Sequence, residues 1–172
     1  VGIDAIDAKA LSRENQIDYA ILRNQLKSDL WNAETLQSWA WDPQIYSQLA
    51  GGAIYSLMAR EFAPLPDRLK SATLRIEKLP ILFAQARENL DPARVPLIHA
   101  ETVAKQHGGI LGLIDQFITP NLGQLGDEDR ERAENAIGNL KIAVAEHQKW
   151  LDETLLPNAK GDFRIGAALY DQ

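Results

Sequence analysis

Three histidines, His99, His107 and His147, are the residues whose type best suits metal binding or proton transfer. A zincin helix needs His-Glu-x-x-His, which holds two imidazoles one turn apart on a metal and leaves the glutamate to handle a water. His99-Ala100-Glu101 lacks that spacing, because residues two apart face different sides of a helix. His107 and His147 both fall in apolar stripes and could meet across two helices. Two imidazoles are one ligand short of a catalytic zinc site, so two core histidines satisfied by hydrogen bonds are the expected arrangement. The Glu-x-x-His pairs of di-iron bundles, the Gly-x-Ser-x-Gly elbow and the phosphate loop are all missing. Zero cysteines exclude a thiol nucleophile, disulfides and thiolate zinc sites. Asp127 to Glu134 lacks the alternating oxygen ligands of a calcium loop and reads as the acidic start of a helix. Pairs such as Glu101 with Lys105 read as solvated helix faces.

Composition narrows the classes further. The chain has 172 residues, enough for one domain with a real core, so a single helical domain over residues 1–172 is expected. Eighteen basic against 24 acidic residues leave a net charge of −6. With no basic cluster, the electrostatic footprint of a nucleic-acid binder is missing. No apolar run approaches the roughly 20 residues that cross a bilayer. The start, Val1-Gly2-Ile3-Asp4, carries neither a basic region nor the apolar core of a signal.

The elements that must position the histidines are helices, since strand signals are hard to find. Ser12 is placed to cap a long first helix with Ile17, Ile21, Leu22, Leu26, Leu30 and Leu36 as its buried side. Trp31, Trp39 and Trp41 follow and are expected to wedge against a neighbouring helix. Asp42-Pro43 is an N-cap with proline at the first helical position, and Ile45, Leu49, Ala53, Leu57 and Met58 recur behind it. Pro64 and Pro66 break that helix. The next stripe, Leu69, Ala72, Ile76, Leu79, Phe83, Ala86 and Leu90, alternates steps of three and four without a slip. Pro80 lies inside it, and the unbroken register favours a kink near Ile76 over a fresh helix start. A helix to about Ile118 carries Ala100, Val103, His107, Ile110, Ile114 and Phe117. The last long one, from Asp127, carries Ala133, Ile137, Leu140, Val144, His147, Leu151 and Leu155 before Pro157. The fold class is therefore all-α, a multi-helix bundle of long antiparallel helices. Both ends read as cut, which makes a fragment of a larger helical protein the expectation.

Gly51-Gly52 and Gly108-Gly109 with Gly112 sit within helical pattern, where each glycine costs about 1 kcal/mol against alanine. Close approach of two helices, a hinge, or backbone opened toward a ligand would each justify them. Their core-spaced neighbours favour close approach, in which case Gly112→Leu overpacks an interface.

Across nearly the whole chain the pattern resembles a known family. Its pieces are Trp41-Asp42-Pro43-x-x-Tyr46, Arg60-Glu61-Phe62-Ala63-Pro64-Leu65-x-x-Arg68-Leu69, and Arg75-Ile76-x-x-Leu79-Pro80-x-Leu82-x-x-x-Ala86-Arg87-x-Asn89-Leu90. Leu156-Pro157-x-Ala159-x-Gly161-Asp162-Phe163-Arg164-Ile165-Gly166-x-x-Leu169-Tyr170 completes the series. The order and spacing are similar to a bacterial family of unknown function, number 885 in the domain-of-unknown-function series. The resemblance implies the amino-terminal helical region of a longer, zincin-related metallopeptidase. That family's zinc motif, a His-Glu followed by Pro-Gly-His-His, lies downstream of the matched part and is missing from this sequence. No catalytic or metal residue carries over, so no cofactor is expected here, with zinc left to the full-length parent. Asp162 and Arg164 are placed near a cleft on the strength of the resemblance; on their own they read as a cap and a helix-terminal ion pair. It also implies the bacterial periplasm or cell envelope, and as partners the rest of the parent chain or a second copy through exposed apolar surface, with peptide as substrate. A self-contained helical interaction module is the alternative. A large exposed apolar patch would favour the peptidase part, and a polar surface the module.

Overall fold

A computed structural model describes residues 2–171, which form two compact units: the residues up to Ser38 together with those from Ile165 on, and Trp39–Arg164. Among the described residues the architecture is all-α, with no strand and one isolated bridge between Pro96 and Gly161.

In the first unit, two 3₁₀ turns lead to α1 (Arg13–Trp31). Ser12 caps it as expected, its Oγ accepting the Asn15 N–H at 3.3 Å. A π-helical turn (Asn32–Leu36) closes the helix, and the unit's other helix is the short α9 (Ala167–Tyr170). The expected buried side is not buried: Ile17, Ile21, Leu22, Leu26 and Leu30 are exposed and Leu36 is half-buried. A helical apolar pattern records a face suited to burial but supplies no neighbour to bury it.

In the second unit, α2 (Gln44–Met58), α3 (Leu65–Ile76), α4 (Leu79–Asn89) and α7 (Asp127–Trp150) surround the main core, with α2 against α3 and α4 against α7. Asp42 accepts the Gln44 N–H at 3.1 Å and Pro43 has helical dihedrals, so the cap and proline act as their types predict. The buried face of α2 differs from the expected one. Tyr46, Ala50, Ile54, Leu57 and Met58 turn inward, whereas Leu49 is exposed and Ile45 and Ala53 are half-buried. In so apolar a helix the pattern underdetermines which side faces in. Past its end, the buried Arg68 donates to the carbonyls of Leu57, Met58, Arg60 and Ala63 at 3.0–3.4 Å. Its cation thereby satisfies carbonyls where the helix dipole is negative.

The whole Leu69-to-Leu90 stripe is buried. The helix carrying it is not kinked, however: it ends at Ile76 and a fresh one begins at Leu79, with Pro80 in its first turn. Proline there has no intrahelical partner to lose, so a restart is the less costly solution. Arg132 of α7 grips Glu77 in that joint through two bonds of 2.6 and 2.8 Å, holding the Glu77 carboxyl below its usual range.

The helix expected to run to Ile118 is likewise divided. The segments are α5 (Leu97–Gln106), α6 (Gly109–Leu113) and a π-helical turn (Ile114–Ile118), with His107 and Gly108 between the first two. Ala100, Val103, His107, Ile110 and Ile114 are buried as the stripe predicts, but Ile118 replaces Phe117, because a π turn adds a residue to the repeat. All seven stripe positions of the last long helix are buried, from Ala133 through Leu155. They span α7 and a third π turn (Leu151–Leu155), which leads into α8 (Leu156–Asn158) with Pro157.

The glycines do not mark close helix approach. A Cβ on Gly52, Gly108, Gly109 or Gly112 meets no other atom within 4 Å, and one on Gly51 meets only Leu113 Cδ1 at 3.9 Å. Gly161 is where space is short: a Cβ there would overlap the Arg94 carbonyl, and its N–H donates to Val95 O at 2.9 Å.

Candidate functional site

Helices α4, α5 and α7 bring His107 and His147 together, as their stripe positions allow. The ring centroids lie 4.7 Å apart at 60°. His147 stacks on Phe83 (5.1 Å, 17°) and on Trp150 (5.5 Å, 20°), and Phe83 meets His107 edge-on at 4.9 Å. Both rings are almost wholly buried, His107 at 4% and His147 at 3% exposure. Burial pushes both imidazoles toward the neutral form, His147 down to about 3, with the neighbouring His107 and Arg87 adding to the effect.

Hydrogen bonding assigns the His147 proton. Arg87 Nη1 lies 3.4 Å from His147 Nδ1, and a guanidinium can only donate, so Nδ1 accepts and Nε2 carries the hydrogen. The backbone of Val144 beside the His107 ring favours its protonated form, against the larger effect of burial. His107 Nε2 is buried without a hydrogen-bond partner. The expectation of two fully satisfied core histidines holds for the burial and fails at this atom.

The constellation does not fit a metal. No group of three His, Cys, Asp or Glu among the described residues is arranged to hold one. The third polar group beside the pair is the Arg87 cation, which opposes a divalent ion electrostatically.

His107 also lines a groove of about 220 Å³ with Ser47, Gln48, Gly51, Phe83, Gln106 and Gly109 among its walls. Gly51 and Gly109, one from each glycine cluster, therefore line the same groove as His107. Phe83, Arg87 and Trp150 are parts of the site that sequence spacing left unassigned. Phe83 and Arg87, four apart in one helix, carried the available signal.

His99 stands apart. Its ring stacks on Trp41 at 6.0 Å, consistent with a tryptophan wedged against a neighbouring helix. His99 Nδ1 lies 3.3 Å from Asp42 Oδ1, close enough for an ion pair but without hydrogen-bond alignment.

Asp162 and Arg164 are on an exposed turn. The Asp162 carboxylate accepts the Arg164 N–H at 2.9 Å and meets its guanidinium at 3.4 Å, while that guanidinium lies 4.4 Å over the Phe163 ring. Asp162 and Phe163 line a shallow cleft of about 550 Å³ with Pro96, Leu97, Ile98 and Glu101.

An all-helical chain with a buried histidine pair and no metal-ligand set among its described residues is the class so defined. The chain belongs to a family described as "Bacterial protein of unknown function (DUF885)", whose model matches residues 2–172. Among solved structures it is similar to "a putative lipoprotein of unknown function from Shewanella oneidensis", at 31% identity and a TM-score of 0.85. That similarity covers 99% of this chain, which spans 31% of the other's length. No curated protein matches.

Proposed function

We propose that this chain is a non-catalytic helical part of a longer bacterial envelope protein, and that it supplies a wall to a zinc-dependent peptidase whose metal site lies outside residues 1–172. The observation that carries the proposal is the bare face of α1. Leu22, Leu26 and Leu30, spaced by four, form one exposed row at 45–55% exposure, and Ile17 and Ile21 form another at 48–64%. Such rows on a long helix mark an interaction surface. The rest of a longer protein is the occupant the similar structure favours, since its matched region is 31% of its chain. The description of that neighbour as a lipoprotein supports the envelope, and no described helix is long and apolar enough to cross a membrane. That the buried pair has no third ligand among the described residues supports a metal site outside this chain.

The test places Leu26→Asp in this chain and in the full-length parent. In this chain the exposed position should tolerate the change with an unaltered melting temperature. In the parent it should lower the melting temperature by several degrees and raise binding of a hydrophobic dye. Unchanged melting in both proteins would overturn the proposal. So would light scattering showing that this chain alone is a dimer dissociated by Leu26→Asp, or stoichiometric zinc in this chain by elemental analysis.

A further inference from the structure

We infer that the groove between α2 and the joint of α3 with α4 is a binding site for a single-chain fatty acid, its alkyl chain on the apolar walls and its carboxylate taken by Arg75 and Lys78. The groove lies wholly within the second unit, so the inference is independent of the role proposed for α1. Three observations carry it.

First, the apolar surface is contiguous and comes from three helices. Leu49 of α2, Leu74 of α3 and Ile81 of α4 are 49–55% exposed, and all three line one groove of about 390 Å³. A single exposed leucine is ordinary, but large aliphatic side chains from three elements around one concavity form a patch suited to an apolar ligand. The buried Leu79 and half-buried Leu82 also line it and pack in the main core, so core residues are among its walls.

Second, the charge in the lining is of one sign. Arg75 and Lys78 line the groove and no acidic residue does. Both cations are exposed, and neither forms an ion pair among the described residues, although the chain carries a net charge of −6. Glu77, which lies between them in the chain, is held by its two bonds to Arg132. An anion is therefore the head group that the groove favours.

Third, Arg75 is fixed in place with donors to spare. Its Nη1 donates to Ala53 O at 2.7 Å and to Ser56 Oγ at 3.1 Å, which ties the guanidinium to α2, and Ala53 is itself a lining residue. Those two bonds use the hydrogens of Nη1 alone. Nε and Nη2 make no hydrogen bond among the described residues, and this pair of parallel donors suits the two oxygens of a carboxylate. Holding the guanidinium in advance lowers the entropy cost of binding.

Size selects the apolar part of the ligand. A helix is about 10–12 Å across, so 390 Å³ holds only about one turn of it. An alkyl chain is slender enough to lie along the groove, whose volume falls within the range of about 300–1,000 Å³ typical of small-molecule sites.

The experiment is a nuclear magnetic resonance titration of the purified chain with sodium decanoate below its micelle concentration, following the methyl groups of Leu49, Leu74 and Ile81 and the Arg75 Nε–H. Decanol, decyltrimethylammonium and acetate are comparisons that lack, in turn, the charge, its sign and the chain, and decyl phosphate changes the head group. Decanoate should shift all four signals saturably at one site per chain, and dodecanoate should bind about two- to fourfold more tightly per added methylene. Arg75→Gln should weaken decanoate binding about tenfold and Lys78→Gln about threefold. Ile81→Asp should abolish it. All three positions are exposed, so circular dichroism and melting should stay those of the parent chain. No saturable shift with decanoate overturns the inference, as does unchanged affinity in both Arg75→Gln and Lys78→Gln. Equal or tighter binding of decanol, decyltrimethylammonium or decyl phosphate overturns it equally. So does a groove already covered by protein, shown by a full-length parent that fails to bind decanoate or by a dimer of this chain that Ile81→Asp dissociates.

Discussion

Replacing His147 with phenylalanine should remove much of this chain's sensitivity to acid. His147 is 3% exposed, stacked on Phe83 and on Trp150, and its folded-state pKa is lowered to about 3. In the unfolded chain an imidazole titrates near about 6.5. Below that value the unfolded state takes up a proton that the folded ring refuses, so stability falls with falling pH and continues to fall until the folded ring protonates near about 3. Each pH unit within the window costs up to about 1.4 kcal/mol, so between pH 7 and 4.5 His147 alone accounts for roughly 2–3 kcal/mol. His107 shifts in the same direction and adds to the loss. Carboxylates with lowered pKa values, such as Glu77 beside Arg132, also lose stability as pH falls. The variant is therefore the necessary comparison, because it keeps every carboxylate. Urea melts of parent and His147→Phe at pH 7 and 4.5 are the assay. The parent should lose about 2 kcal/mol more than the variant over that interval. Equal losses would refute the claim that the buried imidazole is held neutral.

Further substitutions test the local reasoning. Gly112→Ala should stabilise the chain by about 0.5–1 kcal/mol in a denaturant melt, since an added Cβ meets open space; a loss would restore the close-packing interpretation. Asp42→Ala should cost about 1 kcal/mol by removing the acceptor for the Gln44 N–H, and an unchanged melting temperature would show that the cap contributes nothing. Gly161→Ala should cost on the order of 1–3 kcal/mol and speed exchange of the Gly161 amide, because its Cβ would overlap the Arg94 carbonyl; a neutral effect would mean that the bridge to Pro96 is dispensable.

Local chemistry legible in the chain held wherever it needed only near neighbours. Ser12 and Asp42 cap helices because a side-chain acceptor reaches an N–H two or three residues on, whatever the rest of the chain does. The stripes from Leu69 to Leu90 and from Ala133 to Leu155 predicted burial because their apolar residues occupy one face of each helix, with polar residues on the other. Those periodicities also placed His107 and His147 inward, which made their meeting foreseeable. Partners were decided by tertiary structure alone. The equally regular apolar side of α1 stays exposed, and α2 buries Tyr46, Ala50 and Ile54 while Leu49 faces out. At Pro80 the unbroken stripe was compatible with a kink and with a restart, and the structure shows the restart, with Arg132, 55 residues on in the chain, bonded to Glu77 at the joint. The glycines stood at core-spaced positions, yet only the assembled helices reveal open space beside them and a groove beside His107. That His107 Nε2 has no hydrogen-bond partner is likewise a property of α4, α5 and α7 packed together. A hydrogen bond needs a partner within about 3 Å, and spacing along one chain does not specify what other helices bring that close.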